Sequence, residues 1–526
     1  MQLPEASIVD VVLVGYEDQE NLGLRSILAY LRSRGYQAVL VPFTPGCQAE
    51  VVAKVLAGQP RLVGFSLIFQ YTIDEFGALM GALREAGVAA HFTAGGHFPS
   101  LCPEEALALL PALNTVVRFE GELTLVELME NLNAPDAWAS IQGLAFRHNG
   151  PVVVTPSRPL IEDLDSLPPV ARDRPKPAGA GLLLASMLAS RGCLHNCAFC
   201  SIRQFYGIPP GPLRRARSPE AVVDEMATLH ARDGVRVFLF QDDDFAARTP
   251  RQRVWLRAFL DGLVRAGLVD AERPPIGWKI SCRVDDLEPA ILETMVRHGL
   301  LGVYLGVESG SEQGLKTLNK QVTVDQNRAA IALLKACDIG MSMGFMLFDP
   351  SSTVETVREN IRFLREVGAD GHFPVNFCKM LAYAGTPIQA ELRAAGRLTG
   401  TAAKPDYDFG DPVLDWYAFF ALRIFNRRNF GADGLVLRLQ QADTEVRLRR
   451  RLTDQSIPEG YEAALRGIIS RANLSAVETL TDLLDAVVER GVEPLLKEEE
   501  ALLALADREW RTEAALETAL TRLTTS

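Results

Sequence analysis

From Val11 onward, short apolar runs alternate with stretches of helical periodicity, and no other feature of the chain narrows its fold so far. VVLVGY, AVLVPF, RLVGFSLIF, HFTAGG and NTVVRFEGE read as strands; LGLRSILAYLRSRGY, AEVVAKVLAGQ and TIDEFGALMGALREAG read as the helices between them. Strand and helix in repetition make a parallel sheet wound on both faces, of flavodoxin-like (Rossmann-type) α/β class. Leu22, Ile27, Leu28 and Leu31 lie on or near one side of the first helix, which stops before Gly35, a residue suited to a left-handed helix end. Ligands of such sheets sit beyond the carboxyl ends of the strands, so the turns at 15–23, 66–71, 95–100 and 119–122 are predicted to share one rim.

Residues 151–178 hold seven prolines and little periodicity, and read as an extended connector. A second series follows it. LLLASMLAS, VRVFLF, GWKIS, LGVYLG, MSMGFMLF and VNFCKML are six strand-like runs separated by helical segments, which suits a (β/α)6 partial barrel. The first of those helices is capped by Ser218, carries Pro219 in its first turn and buries Val222, Val223, Met226 and Leu229. Beyond Leu398 the periodicity is helical, and the tail is expected to form a lid or packing layer over the barrel mouth. The predicted organisation is a sheet domain over 1–150, a linker over 151–178, a barrel over 179–397 and a helical region over 398–526.

A chain of 526 residues exceeds what one hydrophobic core supports, in keeping with several domains. Its formal charge of −12 argues against a broad nucleic-acid surface and favours small-molecule or peptide substrates. The uncharged apolar stretch 177–190 is too short to span a bilayer, and the N-terminus lacks the basic flank of a signal peptide. A cytoplasmic protein is expected. In that compartment thiols stay reduced, so the eight cysteines point to metal binding or catalysis rather than to disulfides.

Three of them, Cys193, Cys197 and Cys200, fall in SRGCLHNCAFCSIRQFYG, a polar loop after an apolar strand. Soft thiolates so close in sequence converge readily on an iron–sulfur cube. A zinc ion completed by His195 is the other reading, with cramped geometry. Three ligands for a four-iron cluster would leave one iron open to bind and activate a second molecule.

The C-x3-C-x2-C spacing, with Phe199 before the last cysteine, resembles the signature of the radical S-adenosylmethionine (SAM) superfamily. That resemblance implies a [4Fe–4S] cluster on Cys193, Cys197 and Cys200 whose open iron chelates SAM and whose electron releases methionine and a deoxyadenosyl radical. Later segments follow the family's order. FLFQDDDF places Gln241, Asp242, Asp243 and Asp244 where the family binds the amino group of SAM; ISCRVDDL places Arg283, whose planar fork suits a carboxylate. LGVESGS places Glu308 and Ser309 near the expected ribose or amino group. Phe348 and Asp349 replace a common glycine at the adenine-contacting strand end, and residues 382–386, AYAGT, alter a turn common in one branch.

In the N-terminal domain, Ser66 and Leu67, Gly95 and Gly96 followed by His97, and Glu120, Gly121 and Glu122 are similar to the loops of cobalamin-binding domains in radical SAM enzymes. Small residues there let the backbone approach a large flat ring. The linker phrase EDLDSLPPVARD resembles the one joining the two domains in that subclass. The Asp-x-His-x-x-Gly motif that supplies a lower axial histidine in mutases is absent from the sequence, and His97 and His91 are read as structural or hydrogen-bonding groups.

The resemblance implies a cobalamin-dependent radical SAM enzyme that methylates an unactivated carbon, or phosphorus, of a biosynthetic intermediate, supplied with electrons by a donor such as flavodoxin or ferredoxin. Cyclisation, ring contraction or oxidation on the same cofactors is the main alternative. An RNA methylthiotransferase would need three further cysteines upstream, where only Cys47 and Cys102 occur, and a cobalamin-binding sensor would have no use for the cysteine triad. Cys282, Cys337 and Cys378 read as buried small hydrophobes, with a substrate-side position open to Cys378 and Tyr383.

Overall fold

The computed structural model describes residues 9–173, 175–245, 247–270, 274–491 and 499–525, which form two compact units. The first comprises the described parts of 1–175 with 186–221 and 382–406; the second comprises 176–185, 222–381 and the described parts of 407–526.

The first unit is built on seven strands in the order β2-β1-β3-β4-β5-β6-β7: β1 Val11–Gly15, β2 Ala38–Pro42, β3 Leu62–Ser66, β4 His91–Gly95, β5 Thr115–Val117, β6 Leu144–Arg147 and β7 Val152–Val154. The first five run parallel, as the strand and helix alternation predicts, and β6 and β7 add an antiparallel edge. Alternate residues serve opposite faces. Val12, Val14, Val63, Phe65 and Phe92 pack with Phe76, Leu79 and Leu83 of the helix Ile73–Glu85, while Val11, Leu13 and Leu62 pack with Leu24, Leu28 and Leu31 of the helix Leu22–Ser33. That first helix starts where the Asn21 side chain accepts a hydrogen bond from the Leu24 N–H at 3.1 Å and ends before Gly35 at φ +89°.

One boundary needs correction. The connector expected over 151–178 begins later, because Val152–Val154 is the last strand of the first sheet, and ends earlier, because Lys176–Gly179 is already a strand of the second. Its valines pair with β6, a cross-strand partnership invisible in a segment judged by its prolines.

The second unit holds a seven-stranded sheet in the order Cys378–Lys379, Gly340–Phe348, Leu300–Glu308, Gly277–Arg283, Val235–Phe240, Leu182–Met187, Lys176–Gly179, the last pair antiparallel and the first five strands parallel. Trp278, Phe240 and Phe245 pack with Phe259 of the helix Pro250–Arg265, and Phe345 stacks on Phe363 of the helix Val354–Gly368. The other face is different. Register aligns Lys279 with Gly302 and Gly340, Ser281 with Tyr304 and Ser342, and Arg283 with Gly306 and Gly344. A Cβ on Gly302 would lie 3.5 Å from Lys279 Cγ, and one on Gly344 would lie 2.8 Å from the Tyr304 hydroxyl, so these residues share one face.

The tail is helical over Pro412–Phe430, Leu435–Leu452, Tyr461–Arg490 and Glu499–Thr525, but the helical region expected from residue 398 opens instead with a two-stranded sheet of Leu398–Gly400 and Pro405–Tyr407. Its helices do not all lie over the barrel mouth: Tyr417 of Pro412–Phe430 reaches Phe348 at a strand end, but the next helix lies elsewhere. In the helix Leu435–Leu452, Arg451 donates to the Leu300 carbonyl (2.9 Å), Arg447 to that of Asp338 (2.8 Å), and Glu445 accepts from the Ala180 N–H. Those groups sit at the beginnings of strands, so this helix floors the sheet at the end opposite its carboxyl rim. Leu448 and Leu452 complete the contact with Leu182, Val237 and Leu301. Among the described residues no helix is long and apolar enough to cross a membrane.

Candidate active site

The cysteine loop belongs to the first unit. A two-residue antiparallel ribbon, Ser190–Arg191 with Arg215–Ala216, brings the chain into it. Gly192 follows at φ +86°, and a Cβ there would lie 1.9 Å from the Leu213 carbonyl oxygen, so only glycine permits the turn. Cys193 and Cys200 are half-buried and Cys197 is buried; the Cys200 N–H donates to the Cys197 carbonyl at 3.2 Å before the helix Ile202–Gly207 begins. None of the eight cysteines is joined to another in a disulfide. Three thiols on one tight loop are a donor set that fits an iron–sulfur cube.

Ion pairs fasten this loop within the unit. Arg191 pairs with Glu120 at 2.9 Å and Glu122 at 2.8 Å and donates to Ser26, while Arg215 pairs with Glu120 at 2.9 Å. All of these side chains are buried or nearly so. Burial by itself would raise the Glu122 carboxyl, but Arg191 and the Ser26 hydroxyl outweigh it and hold the group below its ordinary range. Glu120, proposed from sequence as a cobalamin contact, spends its carboxylate on these arginines and on the Ile161 N–H, so it acts as an anchor of the cysteine loop. His97 makes a further tie: its Nδ1 is 2.8 Å from Ser201 Oγ and its ring stacks on Phe205 at 4.4 Å. Burial pushes this imidazole down to about 4, which leaves it neutral.

Ser66, Gly95 and Gly96 meet at the carboxyl rim of the first sheet. The Leu67 N–H donates to the Gly95 carbonyl at 2.8 Å, Asn21 Nδ2 lies 3.4 Å from Ser66 Oγ, and a Cβ on Gly96, at φ +113°, would lie 2.3 Å from the Leu67 carbonyl. Gly121 closes against Ile27, 3.0 Å from where its Cβ would be. Loops this low leave backbone and small side chains as the surface of the rim, which fits the approach of a flat macrocycle. His91 stands elsewhere, at the start of β4, with Nε2 2.9 Å from Thr115 Oγ1. Gln70 carries a role the sequence reading missed: its amide donates to the Ala382 carbonyl and accepts from the Ala384 N–H (3.2 and 3.1 Å), fixing the AYAGT turn, where Tyr383 stacks on Phe69 at 4.7 Å.

In the second unit the proposed SAM-binding groups stand at strand ends. Asp242 and Asp244 are buried, Asp243 is exposed and Gln241 is half-buried. Asp244 shares a hydrogen bond with Asp286, whose carboxyl is pushed up by burial and then by Asp285. Arg283 is engaged inside the unit, its Nε 2.9 Å from Asp285 and another nitrogen on the Lys320 carbonyl, so its fork is occupied with holding that loop. Glu308 adopts φ +66° and pairs with Lys320 at 2.9 Å, both side chains buried. Gly306 and Gly344 make room for this pair. Ser309 is fully buried against Asn360 (3.0 Å), and Asn327 donates to the Val307 and Ser309 carbonyls, so two asparagines hold the bend that presents Glu308. Lys320, Asn327 and Asn360 lay outside the motifs and had no sequence signal. Phe348 joins Phe409 and Tyr417 in packing, and Asp349 accepts from the Ser351 N–H and hydroxyl, which explains the departure from glycine at this strand end.

Residues 187–364 match the profile of the Radical SAM superfamily and residues 8–129 that of the B12 binding domain. An uncharacterized methyltransferase of Pyrococcus horikoshii, PH0819, is 28% identical over 396 residues, 74% of this chain and 82% of that protein. The anaerobic magnesium-protoporphyrin IX monomethyl ester cyclase of Cereibacter sphaeroides is 29% identical over 57% of this chain, spanning 48% of its own length. Cytidylyl-2-hydroxyethylphosphonate methyltransferase of Streptomyces wedmorensis is 26% identical over 66% of this chain and 73% of that protein. In fold, the chain is similar to the cobalamin-dependent SAM radical enzyme OxsB with aqua-cobalamin and SAM bound (TM-score 0.69, 17% identity, 99% of this chain and 84% of that one). It is also similar to the radical SAM methyltransferase TsrM from Kitasatospora setae with cobalamin and [4Fe–4S] cluster bound (TM-score 0.60, 18% identity, 90% and 100%). With both domains matched in order, the chain belongs to the cobalamin-dependent radical SAM enzymes, whose cofactors are a [4Fe–4S] cluster, SAM and cobalamin.

Proposed function

We propose that the enzyme methylates an unactivated carbon, or a phosphorus atom, of a small biosynthetic intermediate. The observation that carries this reading is that the cysteine loop is fastened by Arg191, Arg215 and His97 to elements of the same unit that bears the cobalamin-type rim. The bound cofactors supply a deoxyadenosyl radical from one SAM and a transferable methyl group from another. In this reading Cys193, Cys197 and Cys200 hold the iron, and Phe199 lies beside them. Ser66, Gly95, Gly96 and Gly121 seat the corrin, and Glu120 keeps the cysteine loop in register with that seat. Gln241, Asp242, Asp243, Glu308 and Ser309 receive SAM, with Arg283 setting the loop of Lys320. A fixed spacing between two cofactor sites favours reaction by removing orientational freedom before chemistry begins.

Three of the similar proteins carry methyltransferase names, which supports the reading, and one is a cyclase, which supplies its competitor. The decisive experiment is mass spectrometry of the anaerobically reconstituted, reduced enzyme with candidate substrates. Methyl transfer adds fourteen mass units, and all three hydrogens of the methyl group come from SAM. A product of unchanged carbon count, formed with deoxyadenosine, would instead establish cyclisation or oxidation.

A further inference from the structure

The inner face of the second sheet is sparse where a closed barrel would be filled. Barrel interiors are ordinarily packed with branched aliphatic residues; here glycine and serine occupy most of the central positions, and two long polar side chains stand among them. Tyr304, on an interior strand of the sheet, keeps 49% of its surface exposed, and its hydroxyl has no hydrogen-bond partner among the described residues. Lys279 lies one row nearer the floor. Among the described residues its Nζ has one long hydrogen bond, 3.4 Å to Thr444 Oγ1 of the flooring helix. The Asp443 carboxylate acts on it but is already taken by Arg447 at 2.8 Å, and the Arg447 guanidinium opposes its charge. Burial lowers the Lys279 ammonium from its ordinary range, and Asp443 offsets only part of that. A half-buried ammonium whose protein partners leave donors unfilled gains from an anion that completes its coordination.

We propose that this face is the substrate site and that Lys279 receives an oxyanion, carboxylate or phosphoryl, at one end of an elongated small molecule. The inference rests on the methyl-transfer reading only in taking the enzyme's substrate to be small. Four residues of extended strand separate Lys279 from Arg283, about 13 Å. The substrate therefore spans at least about that length, with its charged end on the floor, a polar group at Tyr304 and its reacting atom near the strand ends.

The test uses the full chain reconstituted with cluster and cobalamin, titrated calorimetrically with methylphosphonate, propionate and neutral propanol. Either anion should bind and propanol should not; the tighter of the two identifies the oxyanion. Lys279→Met is expected to weaken anion binding about tenfold or more, as loss of one charge-assisted hydrogen bond does, and Lys279→Arg to keep it within about threefold. Ser342→Leu, which fills the face beside Tyr304 and leaves the charge in place, should lower binding as much as the methionine variant. Equal anion binding by wild type and Lys279→Met, or no anion binding by the wild type, overturns the proposal. Deoxyadenosine formation is measured on the same samples. A protein that binds the anion and never cleaves SAM keeps this site and loses the proposed function; one that cleaves SAM and ignores both anions does the reverse.

Discussion

The two sheets treat their faces in opposite ways. In the first, both faces are covered: Val12, Phe65 and Phe92 meet one layer of helices and Val11, Leu13 and Leu62 the other. In the second, the outer face is packed to the same standard by Trp278, Phe259 and Phe363, while Lys279, Ser281, Tyr304 and Ser342 stand on an open inner face. A sheet buried on both sides can offer a ligand only its edges, so its chemistry lies in loops at the rim. A sheet open on one side can offer the face itself. The strand alternation that makes both is the same, and the residues at every second position decide between them.

The sharpest division is between rim and face. Cys197→Ala removes one of three proposed cluster ligands from a loop whose fold rests on Gly192 and Arg191, so the chain should fold, retain its corrin and lose its cluster. Iron and sulfide analysis should fall to background and deoxyadenosine formation with it. A variant that kept a full cluster would break the assignment of chemistry to this rim.

Next comes packing. Phe92 is fully buried in the central part of the first sheet, and Phe92→Ala should destabilise that unit by about 3 to 5 kcal/mol. Tyr304→Phe removes a hydroxyl that no described residue bonds, and should change the stability of the second unit by no more than about 0.5 kcal/mol. Amide hydrogen exchange read separately in the two units checks both. Comparable losses would mean that the inner face is a packed core after all.

This contrast also explains how much the sequence disclosed. The five parallel strands of the first sheet, the six strands of the second and the cysteine loop were legible because each rests on local periodicity or on spacing within a few residues. Val152–Val154 reads as linker because its prolines hide a hairpin with Leu144–Arg147 immediately upstream. The anchoring of the loop by Glu120 and Glu122 brings together residues about 70 apart, and Lys320 reaches Glu308 across a helix, so neither has a sequence pattern to announce it. Glu120 was singled out correctly as a residue of the rim, but its partners belong to a fold that spacing cannot show.

The covered face can also be probed at its far end, through a proton. His91 begins β4 with its ring edge-on to Trp138 at 5.2 Å, and burial, aided by the Arg84 guanidinium, pushes it down to about 4. The unfolded chain takes up this proton near the ordinary value of 6.5, whereas the folded chain refuses it until about pH 4. Between those values the unfolded state binds more protons, so stability falls as pH drops from about 6.5 to about 4 and levels off below. The whole contribution is about 3 kcal/mol. His91→Gln can still bond Thr115 and has nothing to titrate, so it should flatten the profile in that window. His372 of the second unit is also lowered by burial, so the readout must be local: exchange of the β4 amides, followed from pH 4 to 7 in both proteins. If the β4 profile of the glutamine variant kept the wild-type slope, the imidazole would have to be reached by solvent in the folded state, and the first sheet would not be covered at that end.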